Sequence, residues 1–287
     1  MFDYRYHALS LAAVLLALAI GVLIGVAIGD SNLVSSARDG IVKNLRAEVG
    51  ESQHRTEQVS TKLSEEEALA NDLYPIAVND LLSGHSIGLV FLGEASDRID
   101  EAVREAVTQA GGSLQAVVAL REPFDANGVG AQAAGTLYAA LPSEPSLTHR
   151  FAVRMGKEIV KGGTLLGTVH TRLFSSDDGE LGRLDGVVIV RDEPKSLTGQ
   201  EAKATHELES GLLAGIAAEQ VPAVGVELTS TEPSQIGWYQ GEDLSSVDDL
   251  DTLAGRAALA FALAGNRGAY GVKPSADSLL PHVRPPR

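Results

Sequence analysis

Residues Ala8 to Gly29 read ALSLAAVLLALAIGVLIGVAIG, 22 positions without a charge and with Ser10 as their one hydroxyl. At ~1.5 Å per residue a helix of this length spans about 33 Å, the thickness of a bilayer's hydrocarbon core. The segment is read as a membrane-spanning helix. A cleaved signal peptide is the competing reading: Arg5 would supply its basic start and Ala27-Ile28-Gly29 a small-x-small cleavage site. Its apolar region, however, would normally run only ~7 to 15 residues. Arg5 and the terminal amine precede the helix, while Arg38, Lys43 and Arg46 follow it. The expected orientation keeps a short N-terminal tail inside the cytoplasmic membrane and the bulk of the chain outside.

Ala13, Ala17, Gly21, Gly25 and Gly29 recur every four residues in this helix. Such a stripe lets two backbones approach closely, although Ala and Gly are common in membrane helices for other reasons. A second pattern follows. Val42, Leu45, Val49, Ser52, Thr56, Val59, Leu63, Glu66, Ala70 and Leu73 alternate by three and four residues. Seven of the ten are apolar and the residues between them almost all polar, which predicts a coiled-coil stalk over 30–75, weakest at Ser52, Thr56 and Glu66. An amphipathic helix folded back on a globular domain is the alternative. A coiled coil entering from a small-residue membrane helix favours a parallel homodimer, because both segments can share one symmetry axis. Its expected contacts are Ala13, Ala17, Gly21, Gly25, Gly29, Val42, Leu45, Val49, Val59, Leu63, Ala70 and Leu73. Tyr74-Pro75 is expected to end the seam, and Glu65-Glu66-Glu67 reads as a solvated face.

The remainder alternates buried-strand and helix patterns. Ile87–Gly93 is a short apolar run, Ile99, Ala102, Val103, Ala106 and Val107 have helical spacing up to Gly111-Gly112, and Ala116–Leu120 is a second run, together a βαβ unit. Gly186–Val190, a helix near Gln200–Glu219 and Pro222–Glu227 continue the pattern. Residues 125–180 read as mostly helical, with segments near Ser146–Val160 and Leu165–Phe174, and a last helix covers about Leu250–Leu263. The expected class is α/β: a single N-terminal transmembrane helix, a coiled-coil stalk, then a Rossmann-like, mainly parallel sheet with helices on both faces. The expected divisions are 1–29 for tail and membrane helix, 30–75 for the stalk, 76–272 for the extracytoplasmic α/β domain and 273–287 for an irregular tail.

Chemistry is narrowed mainly by exclusion. The 287 residues carry 23 basic against 38 acidic side chains, a formal charge of −15, so phosphate neutralisation is disfavoured and nucleic acid is not an expected partner. With no Cys, disulfides, thiolate metal sites and Cys nucleophiles are absent. Gly84-His85-Ser86-Ile87-Gly88 matches the G-x-S-x-G nucleophile elbow, but its strand follows Ser86 where an elbow needs the strand before it. Gly128-Val129-Gly130 begins a near-match to a dinucleotide fingerprint whose third glycine, Gly135, comes two places late. Histidines at 7, 54, 85, 149, 170, 206 and 282 include no i, i+4 pair, and Met1 and Met155 are the sole thioethers. Asp177-Asp178 and Asp248-Asp249 are read as turn and helix-start residues. No cofactor or metal ligand set is evident, and no enzyme activity is expected.

Two motifs nevertheless resemble a known family. Tyr6-His7-Ala8-Leu9-Ser10-Leu11-Ala12-Ala13-Val14, running into Leu18-Ala19-Ile20-Gly21-Val22, is similar to the start of actinobacterial MctB-type copper transporter proteins. Ser246-Val247-Asp248-Asp249-Leu250-Asp251-Thr252 with Gly255, then Ala262-Leu263-Ala264-Gly265, Tyr270-Gly271-Val272 and Leu279-Leu280-Pro281, resembles the family's closing motif. The resemblance covers essentially the whole chain. It implies an envelope protein of copper transport or homeostasis, described for mycobacterial relatives as an outer-membrane channel component. Related corynebacterial proteins, SteB among them, are associated with cell separation and control of a septal peptidoglycan hydrolase. That relation implies a second role, as a dimeric scaffold gripping an envelope partner. The residues themselves give one membrane helix and no run of the alternating strands, ~9 to 11 residues each, that a membrane barrel requires.

Overall fold

The computed structural model describes residues 4–29, 31–192 and 197–281. The chain divides into two units, Met1–Ala68 and Leu69–Arg287. In the first, the uncharged run forms α1, Tyr4–Ile28, within which Tyr6–Ala27 is long and apolar enough to cross a membrane. Its side chains from Tyr6 to Ala27 are exposed. Helix α2, Ser31–Val78, continues unbroken through Pro75. The helix itself runs one turn past Tyr74-Pro75, the expected end of the seam: Pro75 removes a single N–H near the helix end, where little of the ladder remains to be lost.

In the second unit the elements run β1 Ser86–Leu92, α3 Asp97–Gln109, β2 Ser113–Leu120, α4 Ala126–Gln132, a 3-10 turn Leu137–Ala140, α5 Leu147–Lys161 and α6 Thr164–Leu173. They continue with β3 Phe174–Gly179, β4 Gly186–Arg191, α7 Gly199–Ala217, β5 Ala223–Val226, α8 Ile236–Gly241, β6 Ser245–Val247, α9 Leu253–Leu263 and β7 Ala269–Tyr270. The seven strands lie in the order β3-β2-β1-β4-β5-β6-β7. All neighbours are parallel except β3, which runs antiparallel to β2.

Strands β1 and β4 are apolar on both faces because both faces are covered. Val90, Leu92, Val187 and Ile189 meet Phe151, Met155, Val169 and Leu212 from α5, α6 and α7. On the other face Leu89, Phe91, Val188 and Val190 meet Val103, Val107, Ala258 and Leu259 of α3 and α9, with Tyr74 and Val78 from the end of α2.

Three expectations are corrected here. Residues 174–179 form edge strand β3 instead of the end of a helical region, so Asp177 and Asp178 are strand residues, not turn residues. The sequence FSSDDG has little intrinsic strand preference and takes its conformation from pairing with β2. Helix α9 begins at Leu253, three residues later than expected, because Thr252 caps it by accepting the Gly255 N–H. The buried pair Asp248-Asp249 lies before that cap, at the end of β6.

Candidate functional site

Strand order reverses between β1 and β4, and in open α/β sheets the crevice beyond the carboxyl ends of such strands is where polar groups can gather without breaking the core. Arg191, the last residue of β4, sits there. Its Nε donates to both carboxylate oxygens of Glu209 on α7, at 3.3 and 3.2 Å, and its Nη1 to Gln235 Oε1 at 2.6 Å. The guanidinium carbon lies 4.6 Å from the Trp238 ring centroid, a cation–π contact. The backbone is fixed too: the Arg191 N–H donates to the Tyr239 hydroxyl, which donates to Val226 O.

Gln235 extends this network. Its N–H donates to Glu227 Oε2 at 2.6 Å, while Glu227 Oε1 accepts from Ser234 and from Lys273 Nζ. Two buried ion pairs, Arg191–Glu209 and Lys273–Glu227, are thus joined through one residue, whose side-chain oxygen accepts from Arg191 and whose backbone N–H donates to Glu227. Around Arg191 the carboxylates outnumber the cation. Burial pushes Glu209 up to about 7, outweighing the attraction of Arg191, with Glu122 adding repulsion. Burial likewise raises Glu122, whose Oε1 is buried without a partner.

The closing motif of the sequence lies along the same edge. Asp248 Oδ1 accepts from Val272 N–H, and both its oxygens accept from Lys273 N–H. Gly271 makes this turn possible: its φ of +137° suits glycine, and a Cβ there would run into the Asp248 carboxylate. Asp249 accepts from the Thr252 hydroxyl, and burial raises its carboxyl. Asp251 accepts from the N–H and hydroxyl of Thr229 and from Arg98. The motif thereby ties β6, β7, α9 and the loop after β5 together. Of the pair Asp248-Asp249 expected at a helix start, Asp249 does support the start of α9, whereas Asp248 binds the backbone after β7. The Arg191–Gln235–Glu227 network escaped sequence reasoning, because its members are 44 and 36 residues from Arg191 and share no local pattern.

The other residues singled out in the sequence do not converge. Ser86 opens β1 and its N–H donates to Asp185. The Gly128 N–H is taken by Asp125, which caps α4 where a phosphate would otherwise sit. His54 lies 3.5 Å from Glu57 and His149 3.5 Å from Glu207; His85 and His170 contact nearby carbonyls. Met155 is buried in the core, while Met1 and His282 lie outside the described residues. Among the described residues no group of three His, Asp or Glu side chains is placed to hold a metal. Ala13, Ala17, Gly21 and Gly25 fall within α1 and Gly29 just after it, and Val42, Leu45, Val49, Val59, Leu63, Ala70 and Leu73 are exposed along α2.

Against known families, the profile described as "Copper transport outer membrane protein, MctB" matches residues 1–281, from the apolar helix through the closing motif. The chain belongs to the MctB family. The "Copper transporter MctB" of Mycobacterium tuberculosis (strain ATCC 25618 / H37Rv) is 27% identical over 318 aligned positions, covering 97% of this chain and 99% of that relative. The Mycobacterium bovis (strain ATCC BAA-935 / AF2122/97) protein of the same description gives the same values. The one from Mycobacterium leprae (strain TN) is 34% identical over 128 residues, 44% of this chain and 40% of the relative. Within the MctB family assignment, the two motifs at the chain's ends are accounted for as an apolar helix and an interlocking carboxylate staple.

Proposed function

We propose that this MctB-family protein is a membrane-anchored component of copper transport or homeostasis, with α1 in the cytoplasmic membrane, the N-terminus inside and the α/β domain outside. The match to the family profile across residues 1–281 carries this reading. The anchor follows from α1, whose apolar side chains have no place in water. The role proposed for the domain is non-enzymatic. Copper titration of the full-length protein by calorimetry, beside copper content of a deletion strain, tests the proposal. Saturable uptake by the protein or altered cellular copper supports it; neither heat nor altered content overturns it.

A second reading is supported by one observation, the apolar seam of α2. In this reading the chain is a parallel homodimeric scaffold, joined through α1 and α2, that holds an envelope partner such as a peptidoglycan hydrolase. Val42, Leu45, Val49, Val59, Leu63 and Leu73 are 40–62% exposed in the single chain, a row that a second copy would cover. Cross-linked membranes should yield a cell-wall factor bound to the protein; repeated recovery of the bait alone counts against this reading.

A further inference from the structure

Strand β3 is the outermost strand of the sheet, so alternate N–H and C=O groups along its free side lack a strand partner. Residues Ser175 to Gly179 are all exposed. Beside this edge, between β3 and α6, lies a cavity of about 270 Å³. Its floor is apolar, formed by Val118, Leu166, Phe174 and Leu181, and its rim carries His170, Asp177 and Glu180. An open strand edge next to a helix, with a side-chain-sized hollow between them, is the geometry by which extended peptides add to a sheet: backbone bonds hold the strand and alternate side chains enter the hollow.

The charges select the occupant. Asp177, Asp178 and Glu180 cluster at the edge, and among the described residues none of them forms an ion pair; the nearby Arg172 is engaged with Asp125. A second copy pairing edge to edge would bring two such acidic runs together, which is destabilising. A basic strand meets no such repulsion. We infer that the groove between β3 and α6 binds an extended segment of a partner protein in which basic and apolar residues alternate, adding it to the sheet beside β3. The groove's chemistry depends on neither copper nor dimerisation.

The test uses a fluorescein-labelled hexapeptide of alternating lysine and valine, titrated into the full-length protein in non-ionic detergent and followed by fluorescence polarisation. Gly167 lines the groove and a Cβ added there meets nothing within 4 Å, so Gly167→Phe starts without a backbone clash and places a ring at the groove. Saturable binding is expected, weakened at least tenfold by Gly167→Phe, by the double change Asp177→Lys/Asp178→Lys, and by N-methylation of alternate amides in the probe. In the unmodified protein, the peptide should slow hydrogen exchange of the β3 amides. Absence of saturable binding overturns the proposal. So does a methylated probe that binds as well as its parent, or undiminished binding to Gly167→Phe, since either result reduces the contact to charge alone.

Discussion

Arg191 and Glu209 face each other at 3.2 Å with side-chain exposures of 11% and 1%, an ion pair enclosed at the carboxyl edge of the sheet. Burial holds Glu209 near 7, above its ordinary value of 4.5. A carboxyl raised on folding binds its proton more tightly in the native state. Its stabilising contribution is complete below about 4.5 and is lost as pH rises through about 7. Urea unfolding between pH 4 and 8 should show a decline across that window, and Glu209→Gln should flatten it. Arg191→Met, which leaves Glu209 buried without its cation, should destabilise by about 3–5 kcal/mol at pH 8 and by less at pH 5.

Helices α5 and α7 approach through glycine. A Cβ at Gly156 would enter the Leu212 carbonyl, and one at Gly215 the Val153 carbonyl. Gly215→Val should therefore force the helices apart and cost roughly 2–4 kcal/mol in urea unfolding, as overpacking does in its severe cases. At Gly237 an added methyl meets nothing, so Gly237→Ala should leave stability unchanged or raise it by up to about 1 kcal/mol.

The reach of the sequence is clearest where structure is local. Ile87–Leu92 and Gly186–Val190 announce buried strands because both faces of β1 and β4 lie under helices and nearly every position is apolar. The helical spacing of Val103 and Val107 survives intact in α3. Strand β3 was hidden for the opposite reason: Ser175 to Asp178 are polar, and only β2, more than 50 residues earlier, makes them a strand. The site shows the same division. Asp248, Asp249 and Asp251 stand out as a motif, but their partners Val272, Lys273, Thr229 and Arg98 are set by tertiary contacts. Arg191 reads as the end of an apolar run until Glu209 and Gln235 fold against it.

Asp251 titrates in the direction opposite to Glu209. Burial alone would raise its carboxyl, but the Thr229 N–H and hydroxyl and the Arg98 charge together hold it below its ordinary 3.8. The resulting stabilisation is present above about 3.8 and is lost as pH falls through the lower native value. Asp251→Asn should therefore cost stability at neutral pH, by about 1–2 kcal/mol, while narrowing the gap to the unmodified protein in strong acid. Thr229→Val, removing one donor, should produce a smaller shift of the same sign. Acid unfolding curves of the three proteins provide the comparison.

The seam of α2 gives the dimer reading its sharpest consequence. Leu45 and Leu63 are 60% and 55% exposed in one chain, yet both sit in the three-and-four spacing that a facing helix covers. Burying a leucine contributes about 1.5–3 kcal/mol, and a second copy contributes the matching residue. Leu45→Glu/Leu63→Glu places like charges opposite each other across that seam. Light scattering of the full-length protein in detergent should give a dimer mass for the unmodified chain and a monomer mass for the double variant. Far-ultraviolet circular dichroism should fall as well, because the polar stretch containing Ser52 and Thr56 loses the neighbour that keeps a narrow-seamed helix folded. A monomer mass for the unmodified protein removes the seam as a self-association surface and returns its apolar row to the search for another partner.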